Sequence, residues 1–252
     1  MAKSSGLGDL LYVDGVDLSG DVGAVDQLAS PAAPLDVTGI NKFAMERILA
    51  KRDGTIKFSP FWNNAATGGT EHPTLSTLPR TDRLMSYLHG AAIGNPAAHL
   101  LAKQIDYDWK RGNDGSLIGN VDGAANGFGL EWGNALTAGF RTDTGATNGT
   151  AWNGSVSTSF GWQAYLHVNA FSGTDVTIKL QDSADNTTFA DVASGAFPQI
   201  TGATTLPLGQ RLAVGGTATL RQYVRVVTVT TGGFTSVKFA VSVVKNTQAV
   251  SF

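Results

Sequence analysis

Along much of the chain apolar and polar residues alternate with a period of two, the spacing that puts successive side chains on opposite faces of a β-sheet. The clearest cases come late. In Val176-Thr177-Ile178-Lys179-Leu180-Gln181 the two classes separate completely, and Val237, Phe239, Val241 and Val243 repeat the pattern. Gly161 to Ala170 and Thr219 to Thr230 read as further long strands, with turns at Asp182 to Thr188 and Thr230 to Gly233. This half predicts a β-sandwich of jelly-roll or immunoglobulin-like kind.

The earlier half alternates in shorter pieces. Leu11-Tyr12-Val13 runs into the turn Asp14-Gly15, and Phe43 to Ala50 and Thr55 to Trp62 flank Asp53-Gly54, which predicts a tight hairpin. Leu84, Tyr87 and Leu88 fall at helical spacing, with Thr81 or Asp82 as a cap and Gly90 as a stop, and predict one short amphipathic helix. Strands resume at Leu101 to Lys110, Leu117 to Val121, Phe128 to Trp132 and Leu136 to Arg141. The small, turn-forming residues from Thr142 to Asn153 break the pattern and divide the chain into domains at 1–145 and 146–252. The expected class is all-β with one short helix, a mostly antiparallel β-structure followed by a β-sandwich. No internal repeat of solenoid or propeller length is visible.

Composition narrows the picture. Only 15% of the 252 residues are charged, against roughly 25% in ordinary soluble domains, and 31 are glycine. Such a neutral, hydrogen-bonding surface suits burial against copies of the same chain. There is no cysteine, so neither disulfides nor a thiol nucleophile enter the argument. The start lacks the apolar run of a signal peptide, and nowhere do about 18 apolar residues follow one another, which predicts a soluble, cytoplasmically made product with no membrane partner. Residues 1–149 carry 12 Lys/Arg against 16 Asp/Glu, and the remainder 6 against 4. No basic stripe for reading nucleic acid is present.

The search for chemistry returns little. His72, His89, His99 and His167 stand at no metal-binding spacing and read as surface or turn residues. A nucleophile elbow and a phosphate loop are both missing. Asp106 and Asp108 share one strand face, but Lys110 and Arg111 stand where a calcium loop needs an oxygen ligand and a glycine. Asp182 to Asn186 reads as an Asx-rich turn. Trp62, Trp109, Trp132, Trp152 and Trp162 could form a sugar platform, but three lie in predicted strands among apolar neighbours, which favours burial. The expectation is no enzyme, no metal and no cofactor.

Three stretches carry a resemblance. They are Leu11 to Val22 (Leu-Tyr-Val-Asp-Gly-Val-Asp-Leu-Ser-Gly-Asp-Val), Ala44 to Phe58 around Lys51-Arg52-Asp53-Gly54, and Gly127 to Gly133 followed by Leu136-Thr137-Ala138-Gly139. In these the first domain resembles the major tail-tube proteins of long-tailed, siphovirus-type bacteriophages, especially those of actinobacterial hosts. The second domain, with Tyr165 to Val168, Gln181 to Asp185 and Gln222 to Val226, looks like the outer β-sandwich some of them append.

The resemblance implies a structural virion protein whose first domain is a tail-tube β-sandwich or half-barrel with one flanking helix, followed by an outer β-sandwich. Six copies would close into a ring, their inner strands forming one barrel, and rings would stack into a tube through which DNA passes without specific binding. Tape measure, tail terminator and distal tail proteins would be its partners. A trimeric ring with two tube domains per chain is disfavoured, because the second half lacks its own helix and hairpin pattern. Within that frame, strand alternation assigns Gln104, Asp106 and Asp108 to the channel face, joined by Glu46, with Ile105, Tyr107 and Trp109 packed inward. The segment from Gly20 to Thr38, with Asp21, Asp26 and Asp36, becomes the loop that stacks on the next ring. The competing expectation is a decoration or receptor-binding protein whose second domain binds host-surface glycans.

Overall fold

The computed structural model describes residues 5–65 and 70–249. It is all-β with one short helix, as the alternation predicts. The first half contributes β1 (Leu10–Val13), β2 (Val16–Asp17), β3 (Val22–Ala29), β4 (Ala32–Asp36), β5 (Arg47–Arg52), β6 (Thr55–Pro60), α1 (Glu71–Leu75), β7 (Arg83–Leu88), β8 (Pro96–Arg111), β9 (Leu117–Ala125), β10 (Glu131–Ala135) and β11 (Arg141–Asp143). The second half contributes β12 (Thr147–Asn148), β13 (Trp152–Asn153), β14 (Trp162–Gly173), β15 (Asp175–Ser183), β16 (Ala190–Ala196), β17 (Ile200–Thr201), β18 (Leu208–Val214), β19 (Tyr223–Val229) and β20 (Phe234–Lys245).

The main sheet runs in the order β18-β14-β20-β10-β8-β7-β1-β2, so strands of the second half form one side of it and strands of the first half the other. The joint between the halves lies at β10 and β20, where Asn134 pairs with Val243 and Ala135 with Ser242. Gly133 belongs to this joint: a Cβ there would lie 2.2 Å from the Val243 carbonyl oxygen, so only glycine admits the approach. A second sheet, β12-β19-β15-β16, covers the β14 and β20 end.

Two large cores lie on one face of the main sheet. Under the second sheet, Trp162, Leu166, Ile178, Leu180, Val226, Phe239 and Val241 are buried together, while Leu11, Val13, Ile56, Phe58, Met85, Leu100 and Val121 form the core of the first half.

The opposite face of the main sheet curls onto itself, so that β1 and β7 meet β14 and β18. This seam is polar. Gly15 N–H donates to His167 Nδ1 at 3.0 Å, which places the His167 proton on Nε2. That Nε2–H donates to Ser86 Oγ at 2.7 Å, and Ser86 donates in turn to His99 Nδ1 at 2.8 Å. His99 stacks on Tyr165 at 4.2 Å, and Asn169 Nδ2 closes the seam by donating to the Gly15 carbonyl at 3.0 Å. Burial drives His167 down to about 3 and His99 well below its ordinary value, so both imidazoles are neutral. These two histidines are therefore core residues, contrary to the expectation of surface or turn positions.

Two further expectations change. Arg83 to Leu88 is a strand, not a helix, hydrogen-bonded to β1 on one side and β8 on the other. Five of its six residues are buried, because both faces of the sheet are covered there, and a doubly buried strand has no alternation to read. The helix is instead Glu71–Leu75, with Pro73 in its first turn, where proline's missing N–H does no harm.

The Asp53-Gly54 hairpin does not form either: β5 pairs with β4, and β6 with β3 and β9. Gly54 is required for proximity. Its Cβ would fall 2.4 Å from the Leu130 backbone nitrogen and 2.7 Å from Leu100 Cδ1.

Candidate assembly surface

Strands β3, β6, β9 and the C-terminal part of β8 form a four-stranded antiparallel unit at one end of the main sheet. Directly paired residues share a face, so its two sides follow from the register. Val25, Phe58, Val121 and Tyr107 line up on the core side. Gln27, Lys57, Asp122 and Asp106 form the matching row on the outer side, with Asp108 and Asn120 beside it.

The outer face is a hydrogen-bonded polar surface. Lys57 Nζ pairs with Asp122, Asn120 Nδ2 donates to Asp106 at 2.9 Å, and Ser59 Oγ donates to Asp26 at 2.6 Å. A shallow concavity of about 510 Å³ runs over Asp26, Ser59, Asp108, Lys110 and Asn120. With Lys57 and Asp122 paired to each other, Asp26, Asp106 and Asp108 face Lys110 and Arg111 on this surface, so its fixed charge is weakly acidic.

Both edges of the unit are open among the described residues. β3 pairs only with β6. On β8, Ala102 pairs with Arg83 on one side and Ala125 on the other, and past that point no strand continues on the β7 side. The backbone of Gln104 to Arg111 therefore has no strand paired on that side among the described residues, and of its donors Tyr107 N–H is taken by Asp106 Oδ1 at 2.9 Å.

Between β3 and β6 the chain leaves the unit and forms an arm, the separate two-stranded sheet of β4 and β5. Its apolar side chains face solvent: Leu35, Val37, Met45, Ile48 and Leu49 are exposed, and Ile40 and Phe43 are both at 109% of reference accessibility. A contiguous apolar projection of this kind marks a contact surface.

The predicted site residues separate. Asp106 and Asp108 share the outer face, but Gln104 does not. A β-bulge between Gln104 and Asp106 adds one residue and inverts the alternation. Gln104 is consequently buried, accepting from Arg83 at 2.7 Å and donating to the Leu75 carbonyl at 2.8 Å, while Ile105, expected inside, is 63% exposed. Tyr107 and Trp109 do turn inward. Glu46 lies on the arm, in an ion pair with Lys42 at 3.0 Å, outside the sheet that carries Asp106.

The segment from Gly20 to Thr38 is not a loop but the two strands β3 and β4, and its three acids go to three places. Asp21 faces α1, Asp26 sits on the outer face, and Asp36 turns the arm by accepting from Thr38 N–H at 2.9 Å. The arm thus joins the end of the Gly20 to Thr38 segment to Phe43 to Ala50, two stretches that the sequence places in separate elements.

No family model matches the chain, and no curated protein matches it. Among solved structures, a chain from the virion of a native gene transfer agent particle aligns at 14% identity and a TM-score of 0.41, covering 52% of this chain and 98% of its own length. A chain from the tail of an empty gene transfer agent particle, refined with C6 symmetry, gives 15% and 0.40 over the same shares. The Dit protein of phage SPP1, described as a hub of the adsorption apparatus in phages infecting Gram-positive hosts, gives 12% and 0.31 over 93% of this chain and 98% of its own.

Proposed function

We propose that the chain is a structural virion protein, the major tail-tube subunit of a long-tailed bacteriophage, which assembles into stacked hexameric rings that conduct DNA. The observation that carries this reading is the four-stranded unit with two open edges and an acidic outer face. Pairing the β3 edge of one copy with the β8 edge of the next, repeated around a ring, leaves no edge free. Asp26, Asp106, Asp108 and Asp122 then face the bore, where phosphates meet net negative charge and slide without sticking.

The apolar arm supplies the contact between rings. Tape measure, tail terminator and distal tail proteins are the partners at the ends of such a tube, and the role needs no catalysis or cofactor. Negative-stain microscopy of the concentrated protein tests the reading: stacked rings with a central hole are expected, and persistent monomers under all conditions refute it. Replacing residues 37–46 with a short Gly-Ser turn should abolish tubes while leaving the thermal transition of the subunit in place. Normal tubes from that variant would remove the arm from the mechanism.

One observation favours a second reading. Trp132, at 50% exposure, lies in a cleft of about 320 Å³ with Ser30, Asn246 and Gln248 and the charged Arg52, Glu131 and Lys245, an indole among hydrogen-bonding groups that suits a sugar ring. Retention on host-wall polysaccharide that disappears with Trp132→Ala would establish a glycan-binding virion protein instead.

A further inference from the structure

The turn that leads into β3 and the helix that follows β6 meet at two acids. Asp21 accepts the side-chain N–H of Asn63 at 2.8 Å and the backbone N–H of Glu71 at 3.0 Å, while its carbonyl accepts from Phe61 N–H at 2.7 Å. Asp21 thus fastens the start of β3, the end of β6 and the first residue of α1 into one joint. Beside it, Glu71 has no exposed surface, and neither of its carboxyl oxygens has a well-formed hydrogen bond among the described residues. A charge left there would be desolvated and would face a second carboxylate.

The groups around Glu71 come from every element at the joint. They are Asp21 from the β2–β3 turn, Tyr107 from β8, the Asn63 backbone and, on its own helix, His72, whose Nδ1 lies 2.6 Å from the Tyr107 hydroxyl. Arg83, at the other end of the helix, is engaged by Asp14, Gln104 and the Thr74 carbonyl. Burial first, and Asp21 in addition, push the Glu71 carboxyl up to about 7 against the pull of Tyr107 and Asn63. Tyr107 is itself raised, again by burial first, and stays a phenol.

We propose that Glu71, buried beside the Asp21 joint, is a proton-holding acid that sets the position of the β3 edge, so that association with further copies of this chain is favoured in mildly acidic solution and weakened above neutrality. A protonated Glu71 can donate to the Tyr107 oxygen while the Tyr107 hydroxyl donates to His72 Nδ1, giving an unbroken chain of donors. Ionised Glu71 takes the Tyr107 proton for itself and repels Asp21, which loosens the joint at the root of β3. The link to association rests on the reading of β3 as an assembling edge.

The sign is fixed by the direction of the shift. An acid raised in the fold binds more protons folded than unfolded between its ordinary 4.5 and about 7, so stability falls as pH rises through that window and is level above it. Glu71→Gln imitates the neutral acid and removes the slope. Urea unfolding of both proteins at pH 5 and pH 8 should show the wild type losing roughly tenfold or more in its folded-to-unfolded ratio relative to the variant. Histidine contributions common to both cancel in the comparison.

Light scattering and microscopy of the full chain at pH 5.5 and 8.5 form the second arm: wild type should polymerise more readily at the lower pH, and E71Q equally at both. A stability difference independent of pH overturns the proton-holding acid, as does a rise in wild-type stability at pH 8 on adding calcium or magnesium chloride alone, which would make a cation the occupant. A pH-dependent stability difference with pH-independent assembly overturns the link to β3. If neither protein assembles at any pH, the tube reading fails while the stability difference still supports the proton-holding acid. Should E71Q not fold, a carboxyl ¹³C signal of Glu71 that titrates below pH 5 in the wild type overturns the proposal directly.

Discussion

Ser86→Ala removes one oxygen from the polar seam and leaves two groups without partners. In the wild type, Ser86 Oγ accepts from His167 Nε2 at 2.7 Å and donates to His99 Nδ1 at 2.8 Å, and all three side chains are buried. Neither imidazole can turn to another partner: His167 is fixed by Gly15 N–H, and His99 by stacking on Tyr165. A buried polar group stripped of its partner costs about 1–3 kcal/mol, so the pair should cost about 2–5 kcal/mol, a large part of the roughly 5–15 kcal/mol that holds a typical fold together. Urea unfolding followed by tryptophan fluorescence reads this as a lower midpoint with an unchanged m-value. The same substitution in a His167→Leu background should cost much less, because one of its two consequences is already present. A loss below about 1 kcal/mol in the single variant, or full additivity in the double, would refute the relay and its assigned tautomers.

Three further outcomes follow from the geometry. Because His99 and His167 are depressed in the fold, the unfolded chain binds more protons below pH 6.5, and stability should fall as pH drops from there toward 5, by up to about 1.4 kcal/mol per unit for each imidazole; urea midpoints in an E71Q background read this slope above the range in which Asp82, Asp175, Asp185 and Asp191, held low in the fold, add their own. Gly133→Ala would drive a Cβ into the Val243 carbonyl and should lower the melting temperature by several degrees, at a cost of about 1–3 kcal/mol in differential scanning fluorimetry. Lys245 Nζ donates to the carbonyls of Val156, Arg221 and Gln222 at 3.0, 2.7 and 3.0 Å, so Lys245→Met should lower the urea midpoint by the equivalent of about 1–3 kcal/mol.

Legibility followed burial. Val176 to Gln181 could be read because one face of the strand meets a core and the other does not, and Val237 to Val243 because the residues between its large apolar ones, Lys238, Ala240 and Ser242, are polar or small even where they are buried. Leu84 to Leu88 could not, since a strand covered on both sides has an apolar run whose chance spacing imitates a helix. The outer face was legible at Asp106 and Asp108, which lie beyond the bulge, and illegible at Gln104, which lies before it; nothing in the string of residues announces an inserted residue. Asp53-Gly54 misled because a glycine needed for close approach has the same letter as one needed for a turn. Pro73 hid a helix too short to show a period. The seam could not be inferred at all, since Ser86, His99 and His167 meet only after the sheet has curled through strands that are far apart in sequence.

The joint at β10 and β20 has a consequence for synthesis. β20 is the last of the described strands in chain order, yet it lies between β14 and β10 in the middle of the main sheet. On the ribosome, the strands of the first half emerge early, and β10 stays unpaired on that side until β20 has been made. The two halves of the main sheet therefore close on each other only after β20, which pairs with β14 on its other side, has left the ribosome.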